Sequence, residues 1–188
     1  KELKRIKNLI ADTLEDLELR IKKLGSEETE LDLLQGSLND TKSYDKDREG
    51  IIKRLNEMLG TNFEIADSND EINKAINERL GLLNKEKRYQ ETLAEIAEKK
   101  ARIDELNQKK KQNSRRINEL DRGISTAPTK DVKMQRASVR TNLKDENRRI
   151  DLEIAEINKL IPALEDSIKG LAQTASERKR KLELPDNP

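Results

Sequence analysis

A seven-residue hydrophobic repeat runs through the first sixty residues of the chain. Eight of its nine positions are apolar: Leu3, Ile10, Leu17, Leu24, Leu31, Leu38, Asp45, Ile52 and Leu59. This repeat is typical of helices that pack along a shared seam, because apolar side chains return to the same helix face every seven residues. It predicts a first helix over about residues 2–59. The pattern allows a break near residue 25, at Gly25, and a loop within 36–50, which is polar.

Two later apolar stripes predict helices over about residues 69–122 and 130–183. Their members are Ile72, Ile76, Leu83, Leu93, Ile96, Ile103, Leu106, Ile117 and Leu120, then Leu143, Ile150, Ile154, Ile157, Ile161, Leu164, Ile168, Leu171, Ala175 and Leu182. Lys110 and Asn113 interrupt the first of these stripes, and polar seam residues cost stability but can fix the register of packed helices. Pro162 lies inside the third helix, where we expect a kink.

The ends of these helices carry recognisable signals. Ser68 followed by Glu71 is the pattern of a capping box at the start of the second helix. Pro128 disfavours helix in the residue before it, so the second helix ends before that point. Thr129 or Ser125 could cap the third helix.

The fold class that follows is all-α. Each of the two later helices would extend for roughly 80 Å at 1.5 Å per residue. Their equal lengths on either side of a short loop predict an elongated antiparallel coiled coil over residues 1–188, as a long helical hairpin or an up-down-up three-helix bundle. The first helix could complete that bundle, or it could pair with another chain or with a part of a longer parent protein.

The amino-acid composition limits the kinds of functional site that the chain can form. Charged residues make up 41% of the chain and aromatic residues 2%, and the chain has no Cys and no His. These absences exclude disulfides, thiol nucleophiles, imidazole bases and zinc sites of the Cys/His type. We expect a protein that is not an enzyme and that has no cofactor, metal, small-molecule substrate or membrane span. The lack of Cys and of a visible signal or transmembrane segment leads us to expect a cytoplasmic location.

Charge is distributed unevenly along the chain. Residues 99–149 hold 16 Lys and Arg against 7 Asp and Glu, a net charge of +9, whereas the remainder has a net charge of −8. The candidate anion or nucleic-acid contacts are Lys109, Lys110, Lys111, Arg115, Arg116, Arg122, Lys130, Lys133, Arg136 and Arg140. No aromatic residue lies within 99–149, so any nucleic-acid contact would be to the backbone and not specific for sequence. The other interpretation is a charged helix face without a ligand.

The heptad positions from Leu3 to Leu59 and the two later stripes resemble the coiled-coil arms of SMC-type chromosome-organising and DNA-repair ATPases. The chain departs from the zinc-hook subgroup because it has no Cys-x-x-Cys at the turn, and it has no nucleotide-binding motif. The resemblance implies an arm segment whose ATPase chemistry lies elsewhere.

The sequence therefore predicts a non-catalytic structural or interaction module, a spacer rod with a basic hairpin tip. It would bind a protein partner or self-associate through the coiled coil. One alternative is a DNA-associated arm of an SMC-like ATPase that contacts the phosphate backbone. Another is the coiled-coil region of a secretion-system translocator or a phage scaffolding protein.

Overall fold

The protein is all-α, as the sequence predicts. The computed structural model describes residues 2–40 and 46–182, which are 92% helical and contain no strand. The helices are α1 (Glu2–Asp40), α2 (Lys46–Leu59), α3 (Asn69–Ser125), α4 (Lys130–Gln173) and α5 (Ala175–Leu182). The coiled-coil geometry stays a prediction.

Two features of the helices differ from the sequence-based expectation. α1 continues through Gly25 without the break that the glycine allowed. Its neighbour Leu24 is only 2% exposed, and burial of an amphipathic face outweighs the helix propensity of one residue. Residues 1, 41–45 and 183–188 lie outside the described part of the chain, including the heptad position Asp45 and the middle of the predicted loop within 36–50. The side chains of Leu3 and Ile6 are also outside it.

The third predicted helix is divided into α4 and α5 at Thr174, and α4 continues through Pro162. The side chain of Arg178 explains this division. Its Nη1 donates to the Leu171 carbonyl at 2.7 Å and to Thr174 Oγ1 at 2.7 Å. A guanidinium that bonds a carbonyl at a helix end stabilises that end.

The predicted helix caps are present. Ser68 Oγ accepts a hydrogen bond from the backbone amide of Glu71 at 3.3 Å, and Thr129 Oγ1 accepts one from Val132 at 3.3 Å. α2 ends at Leu59, and the residue that follows it, Gly60, has a φ of 66°. This left-handed conformation favours glycine and is usual for the residue that follows a helix.

Backbone contacts divide the chain into two compact units. Unit 1 comprises residues 1–11 and 95–167, and unit 2 comprises residues 12–94 and 168–188. Unit 2 buries an aliphatic cluster of Leu24, Leu31, Leu38, Ile52, Leu55, Ile72, Ile76, Leu83 and Leu182. Several of these residues occupy the predicted heptad and stripe positions, so the sequence pattern identifies the core of this unit.

A buried arginine fixes the connection between α2 and α3 in unit 2. Arg48 is 3% exposed. Its guanidinium donates to the carbonyls of Ile65 at 3.0 Å and Asp67 at 2.6 Å, and to Asn69 Oδ1. These bonds satisfy loop carbonyls that would otherwise lack partners, so they order the segment that leads into α3.

In unit 1 the second half of α3 packs antiparallel to α4. Ion pairs link Arg102 to Glu153, Lys109 to Glu146 and Arg140 to Asp121. The closer a paired residue of α3 lies to the turn, the closer its partner on α4 lies to the same turn. This is the arrangement of a helical hairpin. Its buried apolar residues include Leu106, Leu120, Ile150, Ile157 and Ile161.

Candidate anion-binding surface and a buried polar cluster

All ten candidate basic residues lie in unit 1, and half of them have partners within the hairpin. Lys109 Nζ lies 2.9 Å from Glu146 Oε1, and Lys110 Nζ lies 2.5 Å from Asp151 Oδ1. The other two ion pairs are Arg116 with Glu119 at 3.2 Å and Arg140 with Asp121 at 2.8 Å. The charge of these residues is therefore already partly balanced by neighbouring carboxylates.

The fifth residue with a partner, Arg136, joins the two helices near their turn. Its Nη1 donates to the backbone carbonyl of Gly123, in the last turn of α3. A Cβ at Gly123 would lie 3.3 Å from Arg136 Nη1 and 3.4 Å from its Cδ, so the glycine permits this close approach. Because the guanidinium is half-buried and bonded, the contact is structural.

The remaining five candidates are exposed, and their side chains have no ion pair or hydrogen bond among the described residues. They are Lys111, Arg115, Arg122, Lys130 and Lys133. Three of them share one face of α3. At about 100° per residue, Lys111, Arg115 and Arg122 fall within a sector of roughly 40°, along roughly 16 Å of helix.

We call these three residues the α3 basic stripe. The acidic residues between its ends are Glu119 and Asp121. They lie roughly 40° or more outside the sector by the same helical spacing, and each already accepts an ion pair within the hairpin. Between Lys111 and Arg122 the stripe is therefore a line of positive charge without a carboxylate on its own face.

The two other unpartnered cations, Lys130 and Lys133, begin α4. Positive charge in the first turn of a helix is unfavourable, because the backbone amides there carry partial positive charge. Asp131 stands between them. This turn therefore adds a second small group of cations to the same hairpin.

The protonation behaviour of the hairpin reflects its paired residues. The hydrogen bond from Lys109 holds the pKa of Glu146 below its usual range, and the hydrogen bond to Glu153 raises the pKa of Arg102. Both shifts favour the charged forms that the ion pairs require.

Unit 2 contains a buried polar cluster that the sequence analysis missed. Glu86 is fully buried, and Gln90 and Arg178 are 2% and 3% exposed. Arg178 Nε donates to Glu86 Oε2 at 3.1 Å, and Gln90 Nε2 donates to Glu86 Oε1 at 2.8 Å. The Arg178 guanidinium also lies over the Tyr89 ring, 5.4 Å from its centroid. Within the described part of the chain, Gln90 Oε1 and Arg178 Nη2 have no hydrogen-bond partner.

One signal in the sequence could have revealed this cluster. The apolar stripe of α3 passes from Leu83 to Leu93, and the helical repeat places Glu86 and Gln90 at the inward positions between them. Two polar residues at successive inward positions indicate a buried polar site. Their partner Arg178 is 92 residues from Glu86 along the chain, so its role could not be read from local spacing.

Other kinds of site are not indicated. No group of three or more acidic side chains among residues 2–40 and 46–182 could hold a metal ion. No helix in the described chain has a stretch long and apolar enough to cross a bilayer. Comparison of the chain with family models, curated proteins and solved structures gives no match.

Proposed function

We propose that the chain is a non-catalytic structural and interaction module that presents the α3 basic stripe to an anionic partner. One observation carries the proposal. The stripe residues Lys111, Arg115 and Arg122 have no ion pair among the described residues, whereas Lys109, Lys110 and Arg140 on the same hairpin are paired with carboxylates. An uncompensated line of charge on a helix that is fixed by its own ion pairs is suited to an extended polyanion.

The phosphate backbone of a nucleic acid is the partner that we infer. The stripe offers Lys and Arg donors, which form point-charge and bidentate contacts with phosphate oxygens. It contains no aromatic residue for base stacking. Binding would therefore depend strongly on salt and only weakly on base sequence. Such a contact fits the DNA-associated arm of an SMC-type ATPase, which we keep as the proposed class.

Fluorescence anisotropy with a labelled DNA duplex at low salt tests this proposal. The stripe variant carries Lys111→Glu, Arg115→Glu and Arg122→Glu. The matched control carries Lys53→Glu, Lys74→Glu and Lys85→Glu, three exposed lysines of unit 2 with no ion pair among the described residues. Both variants change the net charge by the same amount.

We expect the wild type and the control to bind DNA and the stripe variant to lose at least about tenfold in affinity, a loss of about 1.4 kcal/mol. Circular dichroism checks that all three proteins remain helical. Absence of wild-type binding at low salt would reject a nucleic-acid partner. Equal losses in both variants would show that net charge, and not the stripe, determines binding.

A further inference from the structure

A cavity of about 220 Å³ lies in unit 2 between α1, α3 and α5. Three of its lining residues, Leu24, Glu86 and Gln90, are buried. Two others, Leu19 and Lys23, are exposed. The cavity therefore has a closed floor and an opening towards solvent, and these two parts offer different chemistry to a ligand.

The floor of the cavity offers no accessible side-chain donor or acceptor. Glu86 is fully buried, and its carboxylate accepts hydrogen bonds from Arg178 and Gln90. Gln90 Oε1 is closed to solvent as well. Because a water molecule needs several polar partners, a cavity with such a floor favours an apolar group over water.

Leu19 extends the apolar surface from the floor to the opening. It lies on α1 five residues before the buried Leu24, and it is 61% exposed. An aliphatic chain in contact with both leucines would remove apolar surface of the chain and of the protein from water. This transfer is favourable roughly in proportion to the area that is covered.

The opening of the cavity is positively charged. Lys23 is exposed and Lys179 is half-exposed, and neither has an ion pair among the described residues. Arg20 adds a third positive charge to the lining. The one carboxylate in the lining is that of Glu86, which is already paired with Arg178 at 3.1 Å. A head group at the opening therefore meets an excess of positive charge, which favours an anion.

The volume of the cavity limits the length of the chain that it can hold. A protein cavity of about 150 Å³ holds benzene. By proportion to the carbon atoms of benzene, 220 Å³ corresponds to roughly nine carbon atoms. This is the size of one short aliphatic chain and is too small for the two chains of a phospholipid.

We propose that this cavity binds the anion of a free medium-chain fatty acid, with a chain of roughly eight to ten carbon atoms. The aliphatic chain packs on Leu24 and Leu19, and the carboxylate lies at the opening beside Lys23 and Lys179. Small-molecule sites are usually built in this way, from an apolar pocket and a few polar or charged groups that fix the orientation of the ligand. The proposal concerns unit 2 and does not depend on DNA binding by the α3 basic stripe.

Two-dimensional NMR of the ¹⁵N-labelled full chain tests the assignment, by titration with octanoate below the concentration at which it forms micelles. We expect saturable shifts of amide resonances in segments 19–24 and 86–90 and around residue 179. Affinity should rise about fourfold for each methylene group between hexanoate and octanoate, the factor that corresponds to burial of one methylene. It should stop rising beyond decanoate, because the cavity is then full.

Two analogues of the same chain length test the head group. Octanol is uncharged, and octylammonium is positively charged. Each should bind at least about threefold more weakly than octanoate, because each lacks the attraction between the carboxylate and the two lysines at the opening.

A lysine variant tests the opening of the cavity without disturbing the core. Lys23→Met with Lys179→Met should abolish the preference for octanoate over octanol. Its matched control is Lys53→Met with Lys74→Met, which removes the charge of two exposed lysines of unit 2 outside the lining. The control should retain the preference of the wild type.

A leucine variant tests the apolar wall separately. Leu19→Asn should weaken octanoate and octanol alike, at least about threefold, because it removes apolar contact and leaves the charge unchanged. Leu33→Asn is the matched control, since Leu33 is a similarly exposed leucine of α1 outside the lining. Both positions are exposed, so both variants should fold, and circular dichroism checks this.

Absence of saturable shifts with octanoate would overturn the proposal. Affinity that continues to rise beyond decanoate would also overturn it, in favour of non-specific partition onto the surface. Equal affinities for octanoate and octylammonium would reject the role of the lysines at the opening. Losses in the two control variants that match those in the lining variants would show that the cavity is not the binding site.

Discussion

The two units differ in the burial of their most buried ion pairs. In unit 2 the pair of Arg178 and Glu86 has side chains that are only 4% and 0% exposed. In unit 1 the pairs between α3 and α4 are all substantially exposed, such as Arg102 with Glu153 at 46% and 44%. A buried pair becomes a large liability when one partner is lost, whereas exposed pairs contribute little each. The buried pair of Arg178 and Glu86 in unit 2 thus bears on stability, whereas the ion pairs between α3 and α4 in unit 1 lie at its surface.

The cores of the two units also differ in polarity. Unit 2 has a contiguous aliphatic cluster that includes Leu31 and Leu55, both fully buried. The seam of unit 1 contains polar residues, and Asn113 Nδ2 donates to Asn147 Oδ1 at 3.0 Å across the hairpin. A polar pair within a seam specifies register at some cost in stability. We therefore expect mutations in the core of unit 2 to lower the free energy of unfolding more than mutations in the seam of unit 1.

The largest effect should come from breaking the buried pair of unit 2. Arg178→Leu leaves Glu86 buried without its guanidinium partner, so we expect the free energy of unfolding to fall by about 3–5 kcal/mol in urea denaturation. The double variant Glu86→Leu, Arg178→Leu removes both charges and should recover most of that loss. If Arg178→Leu alone costs less than about 1 kcal/mol, the value for an exposed pair, the contrast between the units is wrong.

Truncation of a buried side chain in the aliphatic cluster of unit 2 should have the second-largest effect on the free energy of unfolding. Leu31→Ala removes a fully buried side chain and should cost about 2–5 kcal/mol. The matched substitution in unit 1 is Leu152→Ala, at a position that is 71% exposed, and it should change stability by less than about 0.5 kcal/mol. Chemical denaturation of both variants measures the two losses in the free energy of unfolding. Comparable losses would show that Leu152 is covered in solution.

Mutations in the seam of unit 1 should lower the free energy of unfolding by less. Asn113→Ala removes the donor to Asn147 and should cost about 1 kcal/mol, the usual net value of a hydrogen bond. Replacing both residues by leucine should preserve or raise stability but should increase self-association, because register is then less well specified. Analytical ultracentrifugation measures the second effect. A double variant that stays in the wild-type association state would contradict this role for the pair.

The smallest effect should be the pH dependence of the Lys109–Glu146 pair. The hydrogen bond from Lys109 holds the pKa of Glu146 below its ordinary value of 4.5. A lowered pKa contributes stability above the unfolded-state pKa, and this contribution is lost as pH falls through the lower, folded-state value. Below about pH 4.5 the wild type should lose slightly more unfolding free energy than Glu146→Gln. Identical pH profiles would show that this pair contributes nothing.

Local patterns in the sequence predict the helices, their caps and much of the core of unit 2. The heptad from Leu17 to Ile52 and the cap at Ser68 depend on residues close together in the chain, which is why they could be predicted. The polar cluster could not be predicted as a whole, because Glu86 and Arg178 meet only after folding. The division at Thr174 involves the same arginine, but through local bonds to residues four and seven positions before it.

Sequence identifies the basic segment of unit 1 but cannot say which cations are free. Lys110 and Lys111 are adjacent and chemically identical, yet one is paired with Asp151 and the other is unpartnered among the described residues. The difference arises from the register of α3 against α4, which decides which side chains face a carboxylate. The unpaired set could be defined only after that register was known.

The salt dependence of DNA binding tests most directly whether the unpaired cations of unit 1, and not the paired ones, contact phosphate. One variant neutralises the stripe with Lys111→Gln, Arg115→Gln and Arg122→Gln, and the other neutralises paired residues with Lys109→Gln, Lys110→Gln and Arg140→Gln. Both change the net charge equally, so only the location of the lost charges differs. We predict that the slope of log affinity against log salt concentration falls by roughly three in the stripe variant, about one per phosphate contact, and changes little in the other. Equal changes of slope in the two variants would contradict the account.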